Sequence, residues 1–301
     1  MHVRISVSEE WRQELENGTL KGLVHSTYKN TINIRNKEKF FSFIITPNNQ
    51  YPGSACFTEQ AIWWNQIKQG DLLWLNVDGL YLNMRKISDF QGIQYYSSAF
   101  EKIKVTVGKE EILEVRKGIG AFILHYGATG GIAGLLRYAK KCREPIPENM
   151  YVSLLRERLN VLLCGLHQRD WENVGKAVGR FVGCGAGLTP SSDDFLCGFL
   201  CVIQYYLRIE DDVEWQKRVE EAVKTNISGK TTAVSCKYLM ESAEGYYTLV
   251  MRRLIQAIFH KKKDLEKLLF AELQVGSTSG TDTLTGVCFG LEYILDEKEG
   301  K

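Results

Sequence analysis

The spacing of apolar residues divides the chain into two parts. From residue 20 to residue 107, short runs rich in β-branched and aromatic residues alternate with turn formers, as in strands joined by tight turns. The predicted strands lie near 22–28, 31–34, 40–45, 71–84 and 93–100, with a hairpin at Asp78-Gly79 and a short helix near 59–68. This pattern predicts a small β barrel or sandwich.

After residue 108 the apolar positions recur with the period of a helix. Ile112, Val115, Ile119 and Phe122 would share one face of a first helix. Further helices are predicted near 131–142, 149–167, 170–182, 192–208, 212–226, 231–244, 246–260, 263–273 and 281–295. We therefore predict an α+β protein with a β-rich domain at 1–108 and an all-helical domain at 109–301.

Composition and charge exclude several classes of protein. The 301 residues are 44% hydrophobic and 25% charged, and 38 basic residues nearly balance 36 acidic ones. Nothing in this balance predicts a nucleic acid or an anionic membrane as partner. The chain has no apolar run of the ~20 residues that a membrane span needs. The first residues lack the apolar core of a secretory signal, so we expect a cytoplasmic protein. Its eight scattered cysteines are expected to be reduced.

The segment from residue 183 to residue 198 has the strongest functional pattern. Gly183, Gly185 and Gly187 alternate with other residues, which permits positive φ angles and close approach by a ligand. Pro190 then suits the first turn of a helix. A glycine-rich turn that leads into a helix N-terminus favours a phosphate or carboxylate ligand.

The pattern S-x-x-D-x-L-x-G occurs twice, at 191–198 and again 88 residues later at 279–286. If the two helix starts converge, Asp193, Asp194 and Asp282 would face one cavity. The alternative is a capping box, in which the serine and aspartate satisfy backbone N–H groups. Capping alone does not explain the alternating glycines or the polar run at 277–282, so the pattern favours a ligand site.

A third polar cluster lies at 228–235. Its Gly-Lys-Thr sequence suggests a nucleotide P-loop, but Lys224 stands where that motif needs glycine. The hydroxyls of Thr231, Thr232 and Ser235 would either cap a helix or donate to a ligand oxygen in the same cavity.

These segments resemble a bacterial family long classed as a domain of unknown function, whose hallmark is G-L-T-P-S-G-D-D. The chain has this stretch at 187–194, with Ser192 in place of the family's usual glycine and Ala186 where proline is frequent. Residues 22–26 with Asn33 resemble the family's opening strand pair, and 231–235 and 276–282 resemble its later motifs. One member is the AllH subunit of oxamate carbamoyltransferase, an enzyme of anaerobic allantoin degradation and hence of purine catabolism.

The resemblance implies carbamoyl transfer from carbamoyl phosphate to oxamate. It also implies further protein subunits, one of them resembling acyl-CoA synthetase α chains. The implied catalytic residues are Asp193, Asp194 and Asp282, and the implied substrate-binding residues are His25, Asn33, Gly185, Gly187, Thr189, Ser191, Ser192, Thr231, Thr232, Ser235, Ser277, Thr278, Ser279 and Gly280. Three carboxylates would repel an anionic substrate, so Mg²⁺ held by the aspartates is an alternative role for them; no other cofactor is predicted.

Two other functions remain open at this point. The chain could be a non-catalytic partner or regulatory subunit, or a stand-alone Mg²⁺-dependent hydrolase whose aspartates activate water. For His25, a general base role competes with a structural hydrogen bond, because catalysis requires a suitably placed nucleophile.

Overall fold

The computed structural model describes residues 2–37, 39–45, 50–57, 63–100, 107–139, 149–260 and 263–297. It divides into two compact units. The first comprises residues 1–99 and 246–249, and the second comprises residues 100–245 and 250–301. The predicted α+β class is confirmed, because the first unit is a barrel of eight strands and the second is helical.

The barrel closes in the strand order β1-β5-β4-β3-β2-β6-β7-β8. The strands are β1 (His2–Ser8), β2 (Leu20–Thr27), β3 (Thr31–Asn36), β4 (Lys39–Ile44), β5 (Ser54–Phe57), β6 (Leu72–Asn76), β7 (Gly79–Leu82) and β8 (Arg85–Tyr96), with a short helix α1 (Arg12–Glu16) after β1. The pairs β1–β8 and β4–β5 are parallel, and the other pairs are antiparallel. A closed sheet leaves no edge strand exposed to unwanted pairing.

The apolar residues of alternate strand positions fill the barrel interior. Ile32 and Ile34 of β3 and Phe41 and Phe43 of β4 lie in this core with almost no exposed surface. The predicted hairpin is confirmed, since Asn76 pairs with Gly79 between β6 and β7. Neither β1 nor β5 was predicted, although the pairing of β1 with both β5 and β8 is what closes the sheet. The strand expected near 93–100 is β8, which begins earlier, at Arg85.

Two predicted short helices differ from the structure. Of the helix expected near 59–68, the described part forms a 3₁₀ turn at Trp64–Gln66, and residues 58–62 lie outside the described residues. The helix expected near 131–142 is a 3₁₀ helix over Ala133–Tyr138, and residues 140–142 also lie outside the described residues. Gly130 and Gly131 precede this segment and Gly134 lies within it, and these glycines lower its α-helical propensity.

The remaining predicted helices are confirmed within a few residues at each end. They are α2 (Lys109–Tyr126), α3 (Met150–Gln168), α4 (Trp171–Phe181), α5 (Ser191–Ile209), α6 (Val213–Lys224), α7 (Ala233–Ala243), α8 (Leu249–His260), α9 (Leu265–Leu273) and α10 (Ser279–Glu297). No helix within the described ranges has both the length and the apolar character needed to cross a membrane.

Helices α5 and α10 form the centre of the helical unit. Each has 15 buried residues among its 19, so both are enclosed on nearly all sides. Their backbones approach closely at glycines: a Cβ on Gly198 would lie 2.0 Å from the carbonyl oxygen of Thr283, and one on Gly286 would lie 1.9 Å from that of Phe195. Further along, Gly290 packs against Val202. The two helices therefore run side by side in the same direction.

Candidate functional site

The glycine-rich loop before α5 has the backbone that its sequence predicts. Gly183, Gly185 and Gly187 all have positive φ angles, at 79°, 138° and 91°. A Cβ on Gly185 would lie 2.3 Å from the backbone nitrogen of Ser191, so only glycine lets the loop fold back onto the helix start. The loop is therefore held against the first turn of α5.

Asp193 binds the loop and the start of α7 together. Its Oδ1 accepts hydrogen bonds from the Gly183 backbone N–H at 2.7 Å and from the Ser192 hydroxyl at 3.1 Å. Its Oδ2 accepts from the hydroxyls of Thr231 and, at 2.6 Å, Ser235. The carboxylate is buried and its four accepting positions are filled by the chain itself. This geometry gives Asp193 a positioning role.

Asp194 and Asp282 occupy equivalent places at the starts of α5 and α10. The hydroxyl of Ser279, the first residue of α10, hydrogen-bonds to Asp194, and that of Ser191, the first residue of α5, hydrogen-bonds to Asp282. Thr189 and Ser279 share a hydrogen bond of 3.1 Å across the two segments. The prediction that the two helix starts meet is therefore confirmed, and the pairing is reciprocal.

Burial raises the pKa of both carboxyl groups. The pKa of Asp194 lies well above its usual value because of burial, although hydrogen bonds from Ser279 and Thr189 oppose the rise and the charge of Asp282 adds to it. Burial raises the pKa of Asp282 to about 6, against hydrogen bonds from the Ile132 backbone N–H and from hydroxyls. Two buried carboxyl groups that share a site resist simultaneous ionisation.

The hydroxyls predicted to bind substrate are mostly used within the chain. Thr232 caps α7, since its Oγ1 accepts from the Ser235 backbone N–H at 3.1 Å and also donates to the Leu188 carbonyl. Thr231 and Ser235 donate to Asp193. These residues join the α7 start to the glycine loop, which makes them part of the scaffold of the site.

Ser192 forms specific contacts at the base of the glycine-rich loop. The Ser192 hydroxyl accepts from the Cys184 backbone N–H at 2.8 Å, and the Ser192 backbone N–H donates to the Cys184 carbonyl at 3.0 Å. The side chain therefore adds hydrogen bonds to the base of the loop.

The polar run at 277–280, where α10 begins, has an exposed and a buried part. Ser277 is exposed, Thr278 and Ser279 are half-buried, and Gly280 is buried. A Cβ on Gly280 would lie 2.0 Å from the carbonyl oxygen of Glu272, so this glycine serves close packing against α9. Gly187, by contrast, has no atom within 4 Å of an added Cβ.

The sequence did not predict that residues 128–132 contact the start of α10. The Ile132 backbone N–H donates to Asp282 Oδ1 at 2.7 Å, and a Cβ on Gly131 would lie 2.2 Å from the same oxygen. The Ala128 backbone N–H donates to the Thr281 hydroxyl oxygen at 2.9 Å. The Gly130-Gly131 pair indicates a turn, but nothing in its spacing connects it to a carboxylate about 150 positions later.

The Mg²⁺ role of the three aspartates stays a prediction. Among the described residues, no group of three or more His, Cys, Asp or Glu side chains is placed to hold one metal ion. The oxygens of Asp193 accept hydrogen bonds from four donors of the chain.

His25 and Asn33 belong to the barrel unit. Asn33 is buried, donates to the Ser26 hydroxyl at 3.1 Å and accepts from the Ser42 hydroxyl at 2.7 Å. His25 Nδ1 lies 3.4 Å from the same Ser26 hydroxyl, and its ring packs edge-on against Phe40. These contacts form a cross-strand polar network on β2, β3 and β4.

Comparison with known protein families gives two matches. A family model described as oxamate carbamoyltransferase subunit AllH matches residues 181–291, which include the glycine loop and both helix starts. A model described as the AllH family N-terminal domain matches residues 3–94, which form the barrel. No solved structure matches the chain. The two family matches together span about two thirds of the sequence, and the chain belongs to the AllH family.

Proposed function

We propose that this chain is a subunit of an oxamate carbamoyltransferase and holds the two small anionic substrates at the paired starts of α5 and α10. The family match supports the activity. The observation that carries the location is the reciprocal pairing of the two helix starts, in which Ser279 hydrogen-bonds to Asp194 and Ser191 to Asp282. A hydrogen bond of 3.1 Å between Thr189 and Ser279 adds to this pairing. Each helix N-terminus has a partial positive charge that favours an anion.

The proposed reaction joins two substrates that are both negatively charged. The amide nitrogen of oxamate attacks the carbonyl carbon of carbamoyl phosphate, forming a C–N bond. The C–O bond to phosphate breaks, its electron pair leaves with the phosphate, and the nitrogen loses one proton. The products are oxalurate and phosphate. Because the substrates repel each other, holding them in contact provides much of the rate enhancement.

The site residues fit this chemistry in three ways. Thr189, Asp194 and Ser279 are half-buried, while Ser191 and Asp282 are buried. The rigid backbone pairing of α5 and α10 fixes the half-buried hydroxyls relative to the two buried residues. Dipoles fixed before the substrates bind stabilise developing charge without reorganising during the reaction.

The proposal also includes partner subunits. The family description names a subunit, so the enzyme contains other chains. We further propose that one of them resembles acyl-CoA synthetase α chains and that the assembly acts in the cytoplasm on an intermediate of allantoin degradation.

The test is carbamoyl transfer by the complex that this chain forms with its co-purifying subunits. We expect oxalurate and phosphate to form in equal amounts from carbamoyl phosphate and oxamate. Replacing both Thr189 by Val and Ser279 by Ala should lower kcat/KM at least tenfold, because the helix starts lose their shared hydrogen bond. The matched control is Thr225→Val, which removes an exposed hydroxyl at the end of α6 that donates to the Glu221 carbonyl and accepts from the Asn226 side chain. Its kcat/KM should stay within twofold of the parent's.

Other outcomes would replace this proposal. Full transfer by a complex that lacks this chain, or by the double variant, would support a partner or regulatory role. Mg²⁺-dependent hydrolysis of carbamoyl phosphate by the isolated chain would support the stand-alone hydrolase.

A further inference from the structure

Two buried carboxylate oxygens of the site have no hydrogen-bond partner among the described residues. Neither Asp194 Oδ2 nor Asp282 Oδ2 receives a hydrogen bond from any residue in the described ranges. Asp282 as a whole residue has 0% of its surface exposed. A buried polar atom without a hydrogen-bond partner destabilises the folded state, so such atoms call for an explanation. Both oxygens belong to the two helix starts proposed above to hold substrates.

The two carboxyl groups differ in what surrounds their other oxygen. Asp282 Oδ1 accepts a backbone N–H from Ile132 at 2.7 Å, which stabilises a negative charge. The hydrogen bonds to Asp194 come from the hydroxyls of Ser279 and Thr189, and it also faces the charges of Asp282 and Asp193. These surroundings favour the ionised form at Asp282 and the protonated form at Asp194. Burial raises the pKa of both groups, to about 6 for Asp282 and well above the usual value for Asp194.

We infer that Asp282 is the proton acceptor for a carboxamide substrate and that Asp194 is the hydrogen-bond donor to a phosphorylated co-substrate. This inference rests on the proposed function and divides the roles within its site. Asp282 Oδ2 accepts an N–H of the carboxamide, and the protonated Asp194 Oδ2 donates to an oxygen of the phosphorylated compound. Environments that separate two neighbouring carboxyl groups in this way are typical of acid–base pairs.

The proton balance of the transfer step follows from this assignment. As the carboxamide nitrogen bonds to the carbonyl carbon, its proton passes to Asp282 Oδ2. The C–O bond to phosphate breaks and the leaving phosphate keeps the electron pair, with Asp194 donating a hydrogen bond to it. Asp282 then releases its proton to phosphate or solvent, which restores the starting state. Asp193 takes no part, because its oxygens are bonded to four donors.

The first experiment compares two ligands that differ only in the group facing Asp282. Oxamate has an NH₂ group where pyruvate has a CH₃ group of similar size. By calorimetry on the full chain, we expect oxamate to bind at least tenfold more tightly, because pyruvate leaves the buried acceptor unsatisfied. Equal affinity for the two ligands, or no binding of either, would overturn the inference.

The second experiment separates the two carboxyl groups by isosteric substitution. Asp194→Asn replaces a neutral donor by another neutral donor, so it should keep at least a tenth of the parent's kcat/KM and its preference for oxamate. Asp282→Asn removes the acceptor, so it should lower kcat about a thousandfold and abolish the preference. Equal effects of the two substitutions, or the reverse order, would contradict the assignment. The melting temperature of each variant is the check on folding, and if D282N does not fold, the ligand comparison on the parent and D194N decides.

Failure of this inference and failure of the proposed function give different results. If the complex transfers no carbamoyl group but the chain still prefers oxamate and loses this preference only in D282N, the activity is wrong and the acceptor assignment stands. If transfer occurs but oxamate and pyruvate bind equally, the activity stands and the assignment is wrong.

Discussion

Asp193 and Asp194 are neighbours in the sequence but have opposite surroundings in the structure. The first receives hydrogen bonds from the glycine loop and from α7, while the second faces α10 and keeps one oxygen without a partner in the described chain. Successive residues of a helix point in directions about 100° apart, so one side chain turns toward each neighbouring element. The sequence motif identifies both residues, but only the packing around them distinguishes the carboxylate that holds the loop from the one that we propose faces substrate.

A single residue, Glu272, is expected to make the stability of the protein depend on pH. It is buried in α9, and burial raises its pKa from 4.5 to about 8. The folded state therefore binds a proton that the unfolded state releases, so stability should fall as pH rises between these values, by up to ~1.4 kcal/mol per pH unit. Glu272→Gln should remove this contribution, while Asp194 and Asp282, whose pKa values burial also raises, keep theirs. Urea unfolding at pH 5 and pH 8 measures it.

The control for this measurement is Glu266→Gln, an exposed position on the same helix. It should show the parent's loss of stability between the two pH values. If E272Q loses as much stability as the parent, proton binding by Glu272 does not contribute.

At the scale of elements, the repeated sequence pattern has a structural meaning beyond helix capping. The glycine that ends each repeat, Gly198 or Gly286, packs against the carbonyl of the fifth residue of the other repeat. The serine that begins each repeat contacts the aspartate of the other. The two segments are therefore related by a local twofold arrangement, in which one set of small and polar residues forms both sides of the interface. This explains why the pattern recurs in full.

Alanine substitution of these glycines tests the interface. A Cβ at Gly198 or Gly286 would collide with backbone, so each change should destabilise the protein by about 1–3 kcal/mol. Gly118→Ala and Gly120→Ala in α2 are matched controls, since nothing lies within 4 Å of either added Cβ. Those two changes should stabilise by ~0.5–1 kcal/mol through helix propensity. Chemical denaturation measures all four, and equal effects at the two pairs of sites would contradict the close packing.

At the scale of the whole molecule, the barrel unit is not formed by one continuous stretch of the chain. Residues 246–249, which follow α7 and include the first residue of α8, belong to the barrel unit. Within that unit the Leu249 backbone N–H donates to the Gln50 carbonyl at 2.9 Å, and Ala99 pairs with Tyr246. The predicted boundary at residue 108 assigns this segment to the helical domain, because the apolar pattern of residues 246–249 continues without a break into α8.

Hydrogen exchange on the intact chain tests whether residues 246–249 share the stability of the barrel unit. We expect the Leu249 amide to exchange together with barrel amides such as those of Phe43 and Leu73 as urea is increased below the unfolding transition. The amides of α7 are the internal comparison. If the Leu249 amide opens with α7 instead, the segment is stabilised by the helical unit.

The sequence by itself determined the fold class, nearly all the helices, most of the strands and the two polar helix starts, because these depend on local periodicity, glycine placement and capping chemistry. It did not reveal strand β5, the closing strand β1, the contact of Gly131 and Ile132 with Asp282, or the different hydrogen-bond partners of Asp193 and Asp194. Those depend on contacts between residues far apart in the chain, as between Ile132 and Asp282. Which donors reach a buried carboxyl group is decided only when the helices pack, since burial and hydrogen bonding then fix its charge and its role.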